Sequence, residues 1–418
     1  MTHMSVEQGA QPPDEDPVLP GKGLEDQEEP FLKELRDFLD QHAPLEALAA
    51  PGAERHFGDD GVPAWAAEWQ AKLFDNGWLV PGYPPRLGGR NASSRQTLVY
   101  LEEMARRNLP RSLHFPGYAI VAPTLLEWGD DHQRELAPRA LRGDDVWCIG
   151  MSEPNAGSDL ASLATRAELV GDRFVVNGQK VWTSYAMWAK YCMCYVRTGT
   201  REERHRGISV VLVDMASPGI EVRPIRQMTG RSEFAEVFFT DVEVPAKNLV
   251  GELNGGWRLT RSSLSHERGG LWVQWVAGLE RSLGDLVAEA RGVGRSRDRV
   301  VRDELARAVC EVCCLRWTGY RGFERLEATG EAPEHLLMKL ATSECARRLA
   351  DLGTRIAGMR SLAGTDLPGE GSPSAERLAQ GHAWQQDLAM SFAATIAGGT
   401  SQIQRDIVAE RVLGLPRR

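Results

Sequence analysis

The apolar residues of this chain change their spacing twice, and that alternation limits the fold more than any other feature. From Phe31 they recur every three or four residues (Phe31, Leu32, Leu35, Phe38, Leu39), the spacing of one helix face. Further helical stretches are expected near 63–76, 94–107 and 117–126, with a Gly/Pro loop at 81–89 as punctuation. Near Val146 the period becomes that of strands. Segments 165–170 and 174–177 flank Gly171 and Asp172 as a hairpin, and 191–198, 208–214, 220–224 and 233–239 follow as strands. No long helix separates them, which implies an antiparallel barrel-like or sandwich domain. After Gly256 the helical period returns at 257–291, 299–328, 333–360, 374–395 and 401–413. Ser401 and Gln404 fit a capping box there, and Gly414 with Pro416 supplies a stop. The reading is an α+β chain: helices over 29–145, a β domain over 146–255, and a helical bundle over 256–418.

Charge narrows the function. Residues 1–28 are acidic and Pro-rich without apolar periodicity, and are expected to be a disordered leader. The first 30 residues hold eight acids and one lysine, so they carry −7 of the net −9. The remainder, at −2, has no basic surplus for phosphate backbones, and nucleic-acid binding is not expected. No apolar run approaches the roughly 18–20 residues of a membrane span, so membrane insertion is not expected. The acidic N-terminus does not resemble a secretory signal. Seven cysteines, an odd number in a long chain, argue against a disulfide framework and for reduced thiols in the cytoplasm.

Several common sites are missing from the pattern. There is no dinucleotide fingerprint or phosphate-binding P-loop, and Gly292-Val-Gly294 lacks the third glycine. Cys310, Cys313 and Cys314 lie in a helical pattern without a second Cys/His pair, so they and Cys192 and Cys194 read as buried core thiols, with no metal site. His42, His132 and His382 form no catalytic signature.

Three stretches are richer. Met151-Ser-Glu-Pro-Asn-Ala-Gly-Ser-Asp159 is a turn whose small residues and hydroxyls let backbone N–H groups approach a polar ring system. Gly178-Gln-Lys-Val-Trp-Thr-Ser184 sets an aromatic beside two hydroxyls, suited to a planar heterocycle. Ile396-Ala-Gly-Gly-Thr-Ser-Gln-Ile-Gln-Arg405 leads two glycines into a helix N-terminus. In this order, and with the 81–89 loop, they resemble the acyl-CoA dehydrogenase family over roughly residues 60–418.

The resemblance implies non-covalent FAD and removal of two hydrogens from Cα and Cβ of an acyl thioester, on coenzyme A or an acyl carrier. It places Met151, Ser152 and Ser158 against the flavin and its pyrophosphate, Trp182 and Ser184 beside the isoalloxazine ring, and Thr400 and Gln402 at the last helix. Glu153, Asn155 and Asp159 are expected to shape the loop. It also implies reoxidation by an electron-transfer flavoprotein and assembly as a homodimer, homotetramer or mixed oligomer.

Proton removal needs a carboxylate. Many members place a Glu before the glycine of the last-helix motif, where this chain has Gly398. A second branch takes its base from an early bundle helix, and in Ser263-Leu-Ser-His-Glu-Arg-Gly-Gly270 that position is Glu267, between His266 and Arg268. An apolar surrounding would raise its pKa toward neutrality. The Gly398 N–H is expected to bond the thioester oxygen as charge develops. Two departures touch assembly: 290–297 lacks Arg-x-x-Phe-Gly, and Arg355-Ile-Ala-Gly358 replaces Gln-x-x-Gly. The competing readings are a flavin monooxygenase or oxidase, or a subunit whose partner performs the chemistry.

Overall fold

The computed structural model describes residues 28–49, 57, 61–362 and 373–416, apart from the side chains of 261–269 and 373–382. The leader expected at 1–28 therefore lies outside the described residues, except Glu28. The chain opens with α1 (Glu29–His42), α2 (Leu45–Ala49), α3 (Ala64–Asp75) and α4 (Ser94–Arg106). On α1, Leu32, Leu35 and Leu39 form the buried stripe that their spacing predicts. Ser93 and Gln96 close a capping box on α4. A wide π-type turn at Gly117–Val121 runs into α5 (Ala122–Trp128), and α6 (Asp131–Arg134) and α7 (Ala137–Arg142) follow.

Eight strands then make one sheet: β1 (Trp147–Gly150), β2 (Arg166–Val170), β3 (Arg173–Ser184), β4 (Tyr191–Arg197), β5 (Ile208–Asp214), β6 (Ile220–Ile225), β7 (Phe234–Pro245) and β8 (Leu249–Val250). Their order is β6-β7-β3-β2-β4-β5-β8, with β1 parallel to β4. The pairing is otherwise antiparallel except for one β2–β4 bridge, Arg166 to Arg197. The β4 side chains divide two cores. Met193 and Tyr195 join the helices, while Cys192, Cys194 and Val196 pack within the β domain beside Cys148.

The expected hairpin forms, but its second strand does not stop at Asn177. It continues to Ser184, because register shifts after Val176 and after Lys180 let β3 follow β7 for its whole length. The Gly178–Ser184 stretch is thus part of the strand.

The C-terminal helices are α8 (Gly256–Gly292), α9 (Arg299–Thr329), α10 (Pro333–Ala357), α11 (Pro373–Ala394) and α12 (Ser401–Arg411). A Cβ at Gly319 of α9 would stand 2.2 Å from the Trp272 ring, so the close crossing of α8 and α9 depends on that glycine. One face of α9, including Val301, Ala308, Val312, Leu315 and Phe323, is buried. The expectation of buried thiols fails on the other: Cys310, Cys313 and Cys314 are exposed, and Trp317 is 53% exposed. These four stand at i, i+3, i+4 and i+7, a second apolar stripe facing away from the bundle.

The N-terminal helices are fastened to the sheet through His114, which is 2% exposed. Its Nε2 lies 2.9 Å from the Trp147 N and 2.8 Å from the Trp147 carbonyl oxygen. Burial lowers its pKa from 6.5 to about 4, against the opposing effect of the Trp147 contact. The fold therefore favours the neutral ring. Its contribution is complete above pH 6.5 and is lost as pH falls toward 4, by about 3 kcal/mol in total. Urea midpoints at pH 7 and pH 5 should fall further apart for the wild type than for His114→Gln. Equal gaps would remove His114 as the cause.

Candidate functional site

The first two signature stretches are held together as one piece. After β1 the chain turns back on itself, Glu153 and Ala156 exchanging backbone hydrogen bonds of 2.9 and 3.1 Å. The Glu153 carboxylate accepts the N–H groups of Ala164 (2.6 Å) and Thr165 (2.9 Å). Lys180, on β3 and fully buried, donates to Glu153 Oε1 at 2.8 Å and to the Met151 carbonyl at 3.1 Å. Beside it, Val181 N–H donates to the Ser152 carbonyl at 2.9 Å. Burial alone would raise the Glu153 pKa, but the Lys180 charge and these hydrogen bonds outweigh it and hold the carboxyl below its usual range.

The register shift after Lys180 turns the strand outward. Trp182 takes φ 59°, in the left-handed region that a bulky residue rarely adopts, and is 58% exposed. Its ring meets Phe234 edge-on at 6.1 Å. Ser184 closes the strand half-buried, and Tyr185 beyond it stacks on Phe57 at 4.1 Å. Met151 and Ser152 are half-buried and Ser158 is exposed. Asp159 is tied to Ser162 and Arg204.

The third stretch is fixed by different groups. Gly398 and Gly399 have φ 66° and 98°. Buried Gln404 donates to the Gly398 carbonyl at 2.9 Å, and Lys339 of α10 donates to the Gly399 carbonyl at 2.6 Å. Thr400, not Ser401, is the N-cap, accepting from Ile403 N–H at 3.3 Å. The expected Ser401 cap fails because the Ser401 hydroxyl donates to Glu344 at 2.7 Å. Gln402 is exposed. Among the described residues, no hydrogen bond or ion pair joins this stretch to the first two. Gly398→Ala should cost about 1–2 kcal/mol through its left-handed backbone, since the nearest atom to a new Cβ, Lys339 Cε, leaves room at 3.8 Å. Urea denaturation checks this, and a loss above about 3 kcal/mol would point to a clash instead.

Glu267 lies within α8, but its side chain, with those of His266 and Arg268, is outside the described residues. The helix backbone places position 267 one turn before Gly270, where a Cβ would stand 2.8 Å from Leu101 of α4.

Comparison with known proteins brings three family models onto the chain in sequence. They are the acyl-CoA dehydrogenase N-terminal domain at 25–144, its middle domain at 148–242 and its C-terminal domain at 254–413. The chain belongs to the acyl-CoA dehydrogenase family. It is 36% identical over 407 residues to the acyl-CoA dehydrogenase IpdE1 of Mycolicibacterium smegmatis, covering 93% of this chain and 97% of that protein. Among solved structures it is similar to the Tcur3481-Tcur3483 steroid ACAD, with TM-score 0.76 and 30% identity over 97% of this chain and 99% of that one. The ChsE4-ChsE5 complex of Mycobacterium tuberculosis matches with TM-score 0.74 and 31% identity, over 94% and 98% of the two chains.

As an acyl-CoA dehydrogenase, the protein is an oxidoreductase of a flavoprotein family. Trp182 offers an exposed indole, packed edge-on by Phe234, on a strand hydrogen-bonded to the 151–159 loop, and Ser152, Ser158 and Ser184 carry hydroxyls in the same two stretches. Sequence reasoning passed over Lys180, Lys339 and Gln404. Lys180 did leave a signal: it continues the inward phase of Phe174 and Val176, where a lysine needs a buried acid.

Proposed function

We propose that this acyl-CoA dehydrogenase binds FAD between the Trp182 platform and the 151–159 loop and forms a trans-2-enoyl thioester with Glu267 as the base. The observation that supports this most directly is the Lys180–Glu153 lock, which makes the two flavin signatures a single rigid surface with Trp182 turned outward. Met151, Ser152, Ser158, Trp182 and Ser184 hold the flavin, with Thr400 and Gln402 at the last helix. FAD, when bound, would supply the acceptor for the hydride that leaves Cβ. Glu267 takes the proton from Cα, and Gly398, which offers no carboxylate, directs its N–H at the thioester oxygen. An electron-transfer flavoprotein is the proposed acceptor, and a cytoplasmic setting accords with the reduced thiols.

The likeness to a steroid ACAD supports an alicyclic acyl group. The exposed stripe of Cys310, Cys313, Cys314 and Trp317, and the two-chain names of both structural relatives, support assembly with another chain. Anaerobic titration of the flavin spectrum with alicyclic acyl-CoA thioesters tests the reading. Bleaching supports it. A flavin that no thioester bleaches, alone or with its partner chain, would return the choice to the monooxygenase or oxidase.

A further inference from the structure

The N-terminal helical domain holds two polar groups whose hydrogen-bonding capacity the described residues leave unused, Tyr100 and Arg111, with Tyr118 beside Arg111. Tyr100 of α4 is fully buried, and its hydroxyl has no partner. Arg111 is half-buried. Among the described residues it has no carboxylate within salt-bridge distance, and its Nε is buried without an acceptor. Its guanidinium carbon stands 5.2 Å from the ring centre of Tyr118, which is 7% exposed. The charge of Arg111 acts on the Tyr100 hydroxyl, partly offsetting the burial that raises its pKa, and Tyr118 acts on the same hydroxyl. Arg111 thus packs over Tyr118, with Tyr100 within electrostatic reach of both.

Their position gives them meaning. The turn that carries Tyr118 follows His114, whose ring centre stands 6.1 Å from that of Tyr185, the residue after Ser184. The Gly117–Val121 turn and α4 both pack against α8, where a Cβ at Gly270, one turn beyond Glu267, would stand 2.8 Å from Leu101, the neighbour of Tyr100. Through His114 and α8 this part of the fold borders both the end of the Trp182 strand and the helix that carries position 267. Other arginines nearby are already neutralised, since Arg106 and Arg107 both bind Glu103. A buried hydroxyl and an unpaired guanidinium are each costly to leave unmet, and together they present donors to an oxygen acceptor.

We infer that Arg111 and Tyr100, with Tyr118 beside them, form a subsite for an oxygen function on the acyl group distant from the thioester, so that the substrate class is an oxygenated alicyclic acyl-CoA. The inference rests on the dehydrogenase reading for the location of the acyl group, but its test does not depend on turnover. The probes are CoA thioethers, which lack the thioester carbonyl and hence the acidic α-proton: cyclohexylmethyl-CoA, its 4-oxo analogue and its 4-carboxy analogue.

Calorimetric binding to the flavin-loaded protein, with its partner chain if one is required, should favour one oxygenated probe over the plain one by on the order of 10–100-fold. A preference for the 4-oxo probe would identify a ketone, and for the 4-carboxy probe a carboxylate. Arg111→Met should bring the ratio to near one. Tyr100→Phe removes only an unpartnered hydroxyl, so it should fold even if Arg111→Met does not, and should reduce the ratio several-fold. Equal affinities in the wild type, or a preference that survives both substitutions, would overturn the subsite. Parallel bleaching by the corresponding thioesters reports on dehydrogenation separately. Selective binding without bleaching would keep the subsite and remove the dehydrogenase mechanism.

Discussion

Glu267→Gln should leave the flavin bound and the protein yellow while slowing its reduction by acyl-CoA on the order of 10⁴-fold. The size follows from the role. A general base contributes up to about 10⁴-fold, and this chain offers no carboxylate at Gly398 to substitute for it. Glutamine keeps the shape and loses the basicity, so binding of the thioester should persist as a perturbed flavin spectrum without bleaching. Stopped-flow absorbance under anaerobic conditions separates the two events. Undiminished reduction would withdraw Glu267 from the mechanism. If reduction persists only in complex with a partner chain, the base belongs to that partner.

Lys180→Met should be the most damaging single change outside the chemistry. It strands the Glu153 carboxylate in the interior, and breaking a buried ion pair from one side costs about 3–5 kcal/mol. Part of that loss should fall on flavin retention, because Met151 and Ser152 lose their anchor together with Glu153. The double substitution Lys180→Met with Glu153→Gln should recover some stability, since no charge is then left alone. Urea unfolding and flavin content after gel filtration give the two readouts. A single-variant loss under 1 kcal/mol would show that the pair is not the tie described here. Acid should act in the same direction. The Glu153 pKa is depressed in the fold, so its contribution is complete above the ordinary carboxyl value near 4.5 and disappears as pH falls through the lowered one.

The three-part architecture was legible because apolar spacing reports which face of each element is covered, and here whole domains differ in that spacing. Strand β4 shows where the signal weakens. Tyr191-Cys-Met-Cys-Tyr-Val-Arg197 does not alternate in polarity because both of its faces are packed, one on the helices and one within the β domain. Cys310, Cys313, Cys314 and Trp317 misled for the opposite reason. An apolar stripe at helical spacing predicts that a face is covered, without saying whether the cover is this chain or another. The signature stretches stand out in the sequence through the family resemblance, while their supports do not. Lys339 and Gln404 act on carbonyl oxygens 60 and 6 residues away, and backbone acceptors leave no trace in side-chain pattern. Arg111 and Tyr100 stand 11 positions apart in different segments, and only the folded chain shows that both keep a buried polar atom without a partner.

The Lys180–Glu153 tie also bears on how such a sequence can change over time. Neither member can be replaced first without passing through a protein with a solitary buried charge, whereas the two replaced together leave a neutral interior. Positions 153 and 180 are therefore inherited as a single character. A lineage drifting away from this pair must cross a fitness valley or change both codons at once, and so the two halves of the proposed flavin surface are kept from diverging independently.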